Sequence, residues 1–270
     1  MSGHGETLGS AHRVPLDRSG RRWALLREPT GLDEQGVGAS TTSDAVRLLD
    51  RLLVDEAGAA VRPGDAALLA LPERDLLLAA AWRMAWGAQI VGTITCTKCG
   101  SLFDFDFDLD ELTDQVRSAP GDLTLEDGVY ALPSGVRFRL PTARDEASVV
   151  GLNGPNAAQA LLETCLLSGD LAADGPEVEA AMEQVGSGID VDFDAACPEC
   201  GLVAAVRFQI QDYLLGAIAS DWTGLVDDVH RIALAYGWSL REILSLTRSR
   251  RRALVTLLDG DPLPMSVDAQ

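Results

Sequence analysis

The chain is poor in several residues and patterns by which enzymes and membrane proteins are commonly recognised. Its 270 residues include three histidines, a single lysine (Lys98) and few aromatic side chains. No apolar run approaches the roughly 20 residues that span a bilayer, because the longest candidate, 66–86, is broken by the polar sequence PERD. The first 22 residues lack an apolar signal core. We therefore predict a cytoplasmic protein without a membrane partner.

Catalytic motifs are also absent from the sequence. It contains no Ser/His/Asp arrangement, no glycine-rich phosphate loop and no His-Glu-x-x-His motif. Two of the histidines, His4 and His12, lie in residues 1–21, which we predict to be a disordered head. The third, His230, falls on a predicted helix. Because no active site is recognisable, we predict that the protein is not an enzyme.

The charge balance is strongly acidic. Aspartate and glutamate outnumber lysine and arginine by 41 to 22, which gives a net charge of −19. Because nucleic-acid binding depends on the neutralisation of phosphates by lysine and arginine, this charge opposes it. It favours partners that present basic surfaces. We therefore expect no nucleic acid among the partners, with one alternative that is described below.

Cysteine is scarce, but four of the five cysteines form two motifs of the same type. Cys96 and Cys99, and then Cys197 and Cys200, are spaced C-x-x-C, are followed by glycine and are flanked by predicted strands. In a reducing compartment such pairs indicate metal binding, whereas disulfides would need an oxidising one. Four thiolates complete the tetrahedral set that structural zinc prefers, while a catalytic zinc needs an open position. The sequence therefore predicts one structural zinc ion.

The two motifs are separated by 97 residues (197 − 99 − 1), although the halves of a typical zinc ribbon lie about 15–20 residues apart. We interpret this interval as an insertion. The predicted fold class is α+β, with a zinc-ribbon-like four-cysteine core interrupted by a long inserted region and with a helical C-terminal subdomain. The expected parts are the disordered head at 1–21, a strand and helix unit with the split zinc ribbon at 22–111 and 191–212, an inserted hairpin and helices at 112–190, the helical subdomain at 213–260 and a loose tail at 261–270.

Capping patterns predict two helices in the first part of the chain. Thr41 and Asp44 form a possible capping box before an amphipathic stretch. A second helix opens at Leu71-Pro72, where a first-turn proline is tolerated, and Gly87 ends it.

The strand that follows Cys99 is predicted from the alternation FDFDFD at 103–108, which indicates one buried face and one solvent-exposed face. Its aspartates resemble the start of a calcium loop. However, Leu109 stands where that loop needs a glycine, and Gln115 stands where it needs a bidentate glutamate. Calcium is therefore not expected.

The inserted region is predicted to begin with a β-hairpin that turns at 133–135. Helical stretches are expected around 143–150 and 157–167, followed by a glycine- and acid-rich loop near 170–176. Cys165 lies within the apolar sequence LLETCLL and is predicted to be a buried core thiol.

The C-terminal region is predicted to be helical throughout. An apolar stripe at helical spacing runs over 222–236 and is closed by a glycine. Ser239 and Glu242 form a capping box for the next helix, and Trp238 and Ile243 occupy the two positions of a hydrophobic staple.

The last predicted helix, 250–258, starts beside the only basic cluster of the chain. This cluster consists of Arg248, Arg250, Arg251 and Arg252. We interpret it, together with Trp238, as a partner-binding set in which an exposed helix turn docks on an acidic surface. Arginines in a first turn oppose the helix dipole, which indicates that they have a partner. The alternative is a zinc-ribbon nucleic-acid-binding regulator that uses these arginines in a recognition helix.

Four segments together point to a family: LPERDLLLAAAWRMAWG, RFRLPTARDEA, CPECG and VHRIALAYGWSLREILSLTRSRRRALVTLL. They resemble the baseplate hub assembly chaperones of contractile tails, which T-even phages and bacterial phage-tail-like contractile injection systems encode. The likeness covers most of 71–258 and is strongest over 229–258. The sequence departs from the family pattern in the first cysteine motif, which lacks a proline, and at Arg248, where a Ser-Pro helix start is expected.

This resemblance implies a non-enzymatic role in assembling the hub or baseplate of a contractile injection machine. The implied partners are baseplate, hub or spike proteins of the tail. The protein would act in the bacterial cytoplasm and either leave after assembly or stay in the injection particle.

Overall fold

The computed structural model describes residues 11–16, 22–38, 40–117, 123–126 and 128–260. Helices and strands are mixed, as predicted for an α+β protein. The strands are β1 (His12–Pro15), β2 (Trp23–Leu26), β3 (Leu53–Val54), β4 (Gln89–Thr95), β5 (Leu102–Asp108), β6 (Thr124–Glu126), β7 (Val129–Ala131), β8 (Arg137–Arg139), β9 (Leu166–Ser168), β10 (Asp190–Ala196) and β11 (Val203–Gln209).

The helices are α1 (Gly31–Glu34), α2 (Thr42–Leu52), α3 (Leu71–Trp86), α4 (Leu109–Arg117), α5 (Ala143–Ser148), α6 (Gly154–Cys165), α7 (Leu171–Val185), α8 (Ile210–Ser220), α9 (Trp222–Tyr236), α10 (Leu240–Leu244) and α11 (Arg248–Leu258). A 3-10 helix lies at Asp65–Leu68. Within the described residues, none of these helices has both the length and the apolar character that crossing a membrane requires.

The described part of the chain begins with an antiparallel sheet of order β1-β2-β3. β1 pairs with β2 along its whole length, and Val14 of β1 is buried beside Leu26 in the main hydrophobic core. The prediction of a disordered head is therefore wrong for this strand, because burial of its apolar side chain stabilises it. Residues 1–10 and 17–21 lie outside the described residues.

The main core lies between this sheet and helices α2, α3 and α8. The predicted cap of α2 is confirmed, since Thr41 accepts a hydrogen bond from the N–H of Asp44 at 3.2 Å. The predicted start of α3 at Leu71 and its end at Gly87 are also confirmed. Fully buried leucines and isoleucines fill the space between the three helices: Leu48, Leu49, Leu52, Leu77, Leu78 and Ile210.

A second core belongs to the region between the two cysteine motifs. It joins an antiparallel sheet of order β6-β7-β8-β9 to helix α7. The predicted hairpin is confirmed, because β7 and β8 are joined by a turn in which the N–H of Gly135 donates to the carbonyl of Leu132. Gly135 has a φ of +88°, a conformation that favours glycine.

The prediction of a loop near 170–176 is wrong, because 171–176 form the first turns of α7 and Asp170 is its N-cap. Asp170 caps the helix, because its side chain accepts hydrogen bonds from the N–H groups of Ala172 and Ala173. Pro176 lies inside the helix and cannot donate one backbone hydrogen bond. Burial of Val178, Ala181 and Val185 in the second core outweighs that loss.

The C-terminal helices divide between two clusters. Helix α8 packs in the main core, whereas α9, α10 and α11 surround a small cluster formed by Ile232, Ile243 and Val255. The predicted capping box of α10 is confirmed, with Ser239 and Glu242 bonded reciprocally. Helix α11 starts at Arg248, two residues earlier than predicted, because Thr247 caps it. The predicted tail, 261–270, lies outside the described residues.

The interpretation of the basic cluster as an exposed turn is wrong for Arg248 and Arg251. Arg251 is 1% exposed and Arg248 is 9% exposed. Arg251 donates to both carboxylate oxygens of Glu34 at 2.7 Å. Arg248 pairs with Asp221 at 2.6 Å, and its guanidinium lies 4.4 Å from the ring centre of Trp86. The partners that offset the unfavourable helix dipole are therefore inside the chain.

The side chain of Asp75 connects α3 to Ile189, the residue that precedes β10. It is 4% exposed and accepts the backbone N–H of Ile189 at 2.8 Å. Burial raises the pKa of Asp75 to about 6, although the Ile189 N–H and Arg74 act in the opposite direction. The charges of Asp190 and Glu146 add to the increase. The carboxylate is thus held in its charged form at neutral pH at a cost in stability.

Asp75→Asn should therefore gain stability relative to the wild type as the pH rises. The folded pKa of about 6 lies above the ordinary value of 3.8, so the folded state binds more protons between these values and ionisation destabilises it by about 3 kcal/mol in total. Roughly half of this difference should develop between about pH 5 and pH 7.5 in the free energies of unfolding from urea titrations. An equal difference between Asp75→Asn and wild type at both pH values would contradict the assignment.

Candidate metal centre

Two antiparallel ribbons carry the four cysteines of the metal centre. Strand β4 pairs with β5, and β10 pairs with β11, over seven residues each. The phenylalanines predicted to face inward do so: Phe107 contacts Phe193 at 5.3 Å and Phe208 at 4.9 Å between ring centres. The ribbons therefore pack face to face, and each sequence motif lies at the turn between its two strands.

Each cysteine motif forms a tight turn of the same geometry. In the first, the N–H of Gly100 donates to the carbonyl of Cys96 at 2.9 Å; in the second, the N–H of Gly201 donates to the carbonyl of Cys197 at 2.9 Å. The two glycines have φ values of +76° and +68°, where a side chain would be strained. The glycine after each C-x-x-C is thus needed to close the turn.

The four sulfur atoms lie within 4.8 Å of one another. The shortest separations cross between the motifs, 3.5 Å from Cys96 to Cys200 and 3.7 Å from Cys99 to Cys197. Four thiolates bound tetrahedrally at about 2.3 Å from a metal ion are separated by about 3.8 Å. The residues present therefore fit such an ion, and binding would hold the two ribbons together.

Hydrogen bonds within the turns stabilise part of the negative charge. The hydroxyl and N–H of Ser101 lower the pKa of Cys99 to about 6. Backbone N–H groups, that of Cys99 first, lower the pKa of Cys96. The N–H of Leu202 acts on Cys200 in the same direction, but burial and the neighbouring thiols raise the pKa of Cys200 to about 11. Four thiols at this distance need a cation to be charged together, which couples their deprotonation to metal binding.

The ligand set is closed. Among the described residues, the group contains these four cysteines and no histidine or carboxylate. Cys96 and Cys197 are each 2% exposed, while Cys99 is exposed and Cys200 is half-buried. Four protein ligands leave no position for water or substrate, so the arrangement suits a structural ion.

Two other residues that the sequence singled out do not belong to this centre. Cys165 is fully buried, as predicted, and burial raises its pKa to about 11. His230 is exposed on α9.

The aspartates of β5 lie on the outer face of the ribbon, where Asp104 accepts from the hydroxyl of Thr93 and Asp106 from the side chain of Gln89.

The predicted partner-binding residues lie in different environments. Besides the two buried arginines, Arg252 is half-exposed and pairs with Asp221 at 3.3 Å and with Asp228 at 3.5 Å. Arg250 is exposed. Trp238 is 40% exposed, and its ring lies 5.5 Å from that of Tyr236. These five residues do not form one continuous cationic surface.

Sequence reasoning missed the exposure of a set of apolar side chains on α9, on α10 and in the turn between them. We call this set the C-terminal apolar surface, and it consists of Trp222, Val226, Leu234, Tyr236, Trp238 and Leu240. These side chains are between 40% and 75% exposed. The helical stripe of α9 was predicted, but only its face with Leu225 and Ile232 is covered by neighbouring helices. The sequence signal that could have indicated this exposure is the width of the apolar stripe, because apolar residues occupy more than one face of α9.

Comparison with known proteins identifies no relative of this chain. No family model matches it, and neither curated proteins nor solved structures give a significant match.

Replacing Cys197 by alanine should remove the bound ion and destabilise both ribbons. One of four ligands is lost, and structural zinc contributes on the order of 10 kcal/mol to folding. Elemental analysis of the purified protein and its thermal unfolding curve are the measurements. The control is Cys165→Ala, which deletes a buried thiol outside the metal group and should retain one ion per chain. Unchanged metal content in Cys197→Ala would contradict the proposed ligand set.

Proposed function

We propose that the protein is a non-enzymatic assembly factor or baseplate component of a bacterial phage-tail-like contractile injection system. The observation that carries this proposal is the resemblance of residues 229–258, above all the sequence HRIALAYGWSLREIL, to baseplate hub assembly chaperones. Its partners in this role are baseplate, hub or spike proteins. It acts in the cytoplasm, and it is incorporated in the particle if it remains bound after assembly.

We further propose that the metal ion is zinc. Four cysteine thiolates in a closed tetrahedral arrangement are typical of structural zinc sites, and zinc has no redox chemistry that would alter the site. In this role the ion holds the turns of two ribbons that are separated by 97 residues (197 − 99 − 1) in the chain. The zinc-bound ribbons are then a rigid support for surfaces elsewhere on the protein.

A binding role is supported by the C-terminal apolar surface, because four of its residues, Leu234, Tyr236, Trp238 and Leu240, fall within the segment that carries the resemblance. Its three aromatic residues, Trp222, Tyr236 and Trp238, are of the types that most often dominate the energy of protein interfaces. Exposed apolar surface of this kind is typical of protein–protein contact sites. We therefore assign partner binding to this surface in place of the complete arginine cluster.

The alternative function, a nucleic-acid-binding regulator, has less support. Arg248 and Arg251 are buried in ion pairs with Asp221 and Glu34. Release of Arg251 toward phosphates would leave the buried carboxylate of Glu34 without its closest partner, which is costly. The net charge of −19 opposes such binding as well.

The proposal is tested with the contractile-tail proteins encoded by neighbouring genes. The tagged chain is expected to co-purify with at least one hub, spike or baseplate protein, and its deletion should leave particles without a complete baseplate. Fully assembled particles in the deletion strain, together with no bound tail protein, would refute the proposal. The presence of the chain in purified particles distinguishes a permanent component from a transient chaperone.

Leu234→Ala should weaken binding to the captured tail protein by about tenfold, because the truncation removes apolar side-chain area whose burial contributes about 1–2 kcal/mol. Leu102→Ala is a matched control, since Leu102 is 70% exposed on the ribbon and Leu234 is 75% exposed on α9. Titration calorimetry with the purified partner measures both. Equal affinities for the two variants would exclude the C-terminal apolar surface as the binding site.

A further inference from the structure

A motif of eight residues occurs twice in the chain with the same internal contacts. It reads R-x-P-T-x-x-D-E and spans Arg27–Glu34 and Arg139–Glu146. In both copies the arginine makes two hydrogen bonds to the aspartate, at 2.8 and 2.8 Å in the first and at 2.6 and 3.0 Å in the second. In both copies the threonine N–H and hydroxyl also donate to that aspartate.

Each copy of the motif also docks the start of a distant helix. The threonine of the first copy forms a β-bridge with Thr247, the cap of α11, and the threonine of the second copy forms one with Ala70, the cap of α3. The next residue then donates its N–H, at 3.3 Å in both cases, to the carbonyl of Leu246 or of Leu69. The two docked helices are thus held by the same backbone contacts.

A buried arginine completes both contacts. It lies four residues after the cap, as Arg251 in α11 and as Arg74 in α3, and it pairs with the final glutamate of the motif. Arg251 is 1% exposed and Arg74 is 3% exposed. The Nε of each has no hydrogen-bond partner among the described residues. We call the contact of 27–34 with α11 the terminal joint and the contact of 139–146 with α3 the internal joint.

The two joints differ in how their helices are attached to the rest of the molecule. The glutamate and arginine are 72 positions apart in the internal joint and 217 apart in the terminal joint. Helix α3 contributes the fully buried Leu77 and Leu78 to the main core. Helix α11 instead packs with α9 and α10 in a small cluster, and one residue, Asp221, separates α9 from α8. Only the terminal joint therefore closes a unit that has its own cluster and a single covalent connection.

We infer that the terminal joint is an exchangeable docking site between copies of this chain, in which the α9–α11 unit of one copy binds the 27–34 motif of a second copy and the reverse contact forms at the same time. This exchange reuses the contacts of the terminal joint and requires a change at the connection around Asp221, whose ion pairs with Arg248 and Arg252 must form again in the dimer. Exchange of an identical element is a low-cost route to a dimer. The proposal concerns this chain alone and does not depend on the function proposed above.

The balance between monomer and exchanged dimer is set by effective concentration. A short connection gives an intramolecular effective concentration in the millimolar range, so the monomer dominates in dilute solution. Conditions that weaken the intramolecular joint and preserve an intermolecular one should reverse this preference. Two variants provide such conditions, one with the charge of the glutamate reversed and the other with the charge of the arginine reversed. Each variant alone brings two like charges together in a buried site, which weakens its own joint.

The test mixes the variants Glu34→Arg and Arg251→Glu. In each variant alone, positions 34 and 251 carry charges of the same sign. In a reciprocal dimer of the two variants, Glu34 of one chain meets Arg251 of the other at one joint, and the two substituted residues, which have opposite charges, meet at the second joint. Light scattering after size exclusion should show a species of twice 28.7 kDa in the mixture, with about tenfold more dimer than either variant alone. The double variant within one chain should be a monomer, since its own joint is again complementary.

The internal joint supplies the matched control. A mixture of Arg74→Glu and Glu146→Arg should give no dimer, because α3 is part of the main core and cannot leave it. Absence of a dimer from the terminal-joint mixture, with a folded monomeric double variant, would overturn the proposal.

A second measurement covers the case in which the single variants do not fold. Wild-type protein with natural and heavy-nitrogen labels is mixed at high concentration just below its Tm, then cooled, diluted and measured by native mass spectrometry. Mixed-label dimers are expected from the wild type, and the double variant mixed with wild type should give fewer. Monomers alone in both samples would equally overturn the proposal.

Discussion

The convergence of four thiols from two distant turns is the constraint on which the central part of the structure depends. The sulfur atoms lie within 4.8 Å of one another, at a position where an apolar interior is small and consists mainly of Phe103, Ala195 and their neighbours. So little buried area stabilises the ends of two ribbons weakly. A cation bound there would instead offset the mutual repulsion of the thiolates and the entropy of closing the intervening chain. The opposite ends of the ribbons need no such support, since Ile90 and Phe208 enter the main core.

The sequence predicted those features that are encoded within a few neighbouring residues. The C-x-x-C-G turns, the caps at Thr41 and Ser239 and the end of α3 at Gly87 follow from local chemistry, and each is confirmed. The failures involve contacts between distant residues. Val14 was assigned to a disordered segment because its burial depends on helices that follow much later in the chain. The pairing of the α11 arginines could not be predicted for the same reason, although the repeat of R-x-P-T-x-x-D-E was visible in the sequence.

The repeated joints explain how an acidic protein tolerates buried arginines. A buried guanidinium is stable only when carboxylates and carbonyls satisfy it. Arg251 meets Glu34 and the carbonyl of Leu246, and Arg74 meets Glu146. In each case the aspartate of the motif is bonded by the arginine of the motif, which keeps the glutamate available for the docked helix. Within the motif, the arginine and aspartate pair with each other and fix its conformation, while the glutamate pairs with the arginine of a distant helix. The same eight residues can therefore dock a helix at two places in one fold.

These assignments also determine how charge and apolar contacts would act together in partner binding. Arg248, Arg251 and Arg252 are in ion pairs with carboxylates of the chain and are already counted in the net charge of −19, so the field at a distance remains negative. A basic partner is then attracted by the long-range field, which raises the association rate. In the proposed complex, the lifetime would depend instead on close contacts at Trp222, Tyr236 and Trp238, because buried aromatic anchors slow dissociation. Salt should consequently alter the rate of association more than the rate of dissociation, as expected when the charged and apolar contributions lie on different parts of a surface.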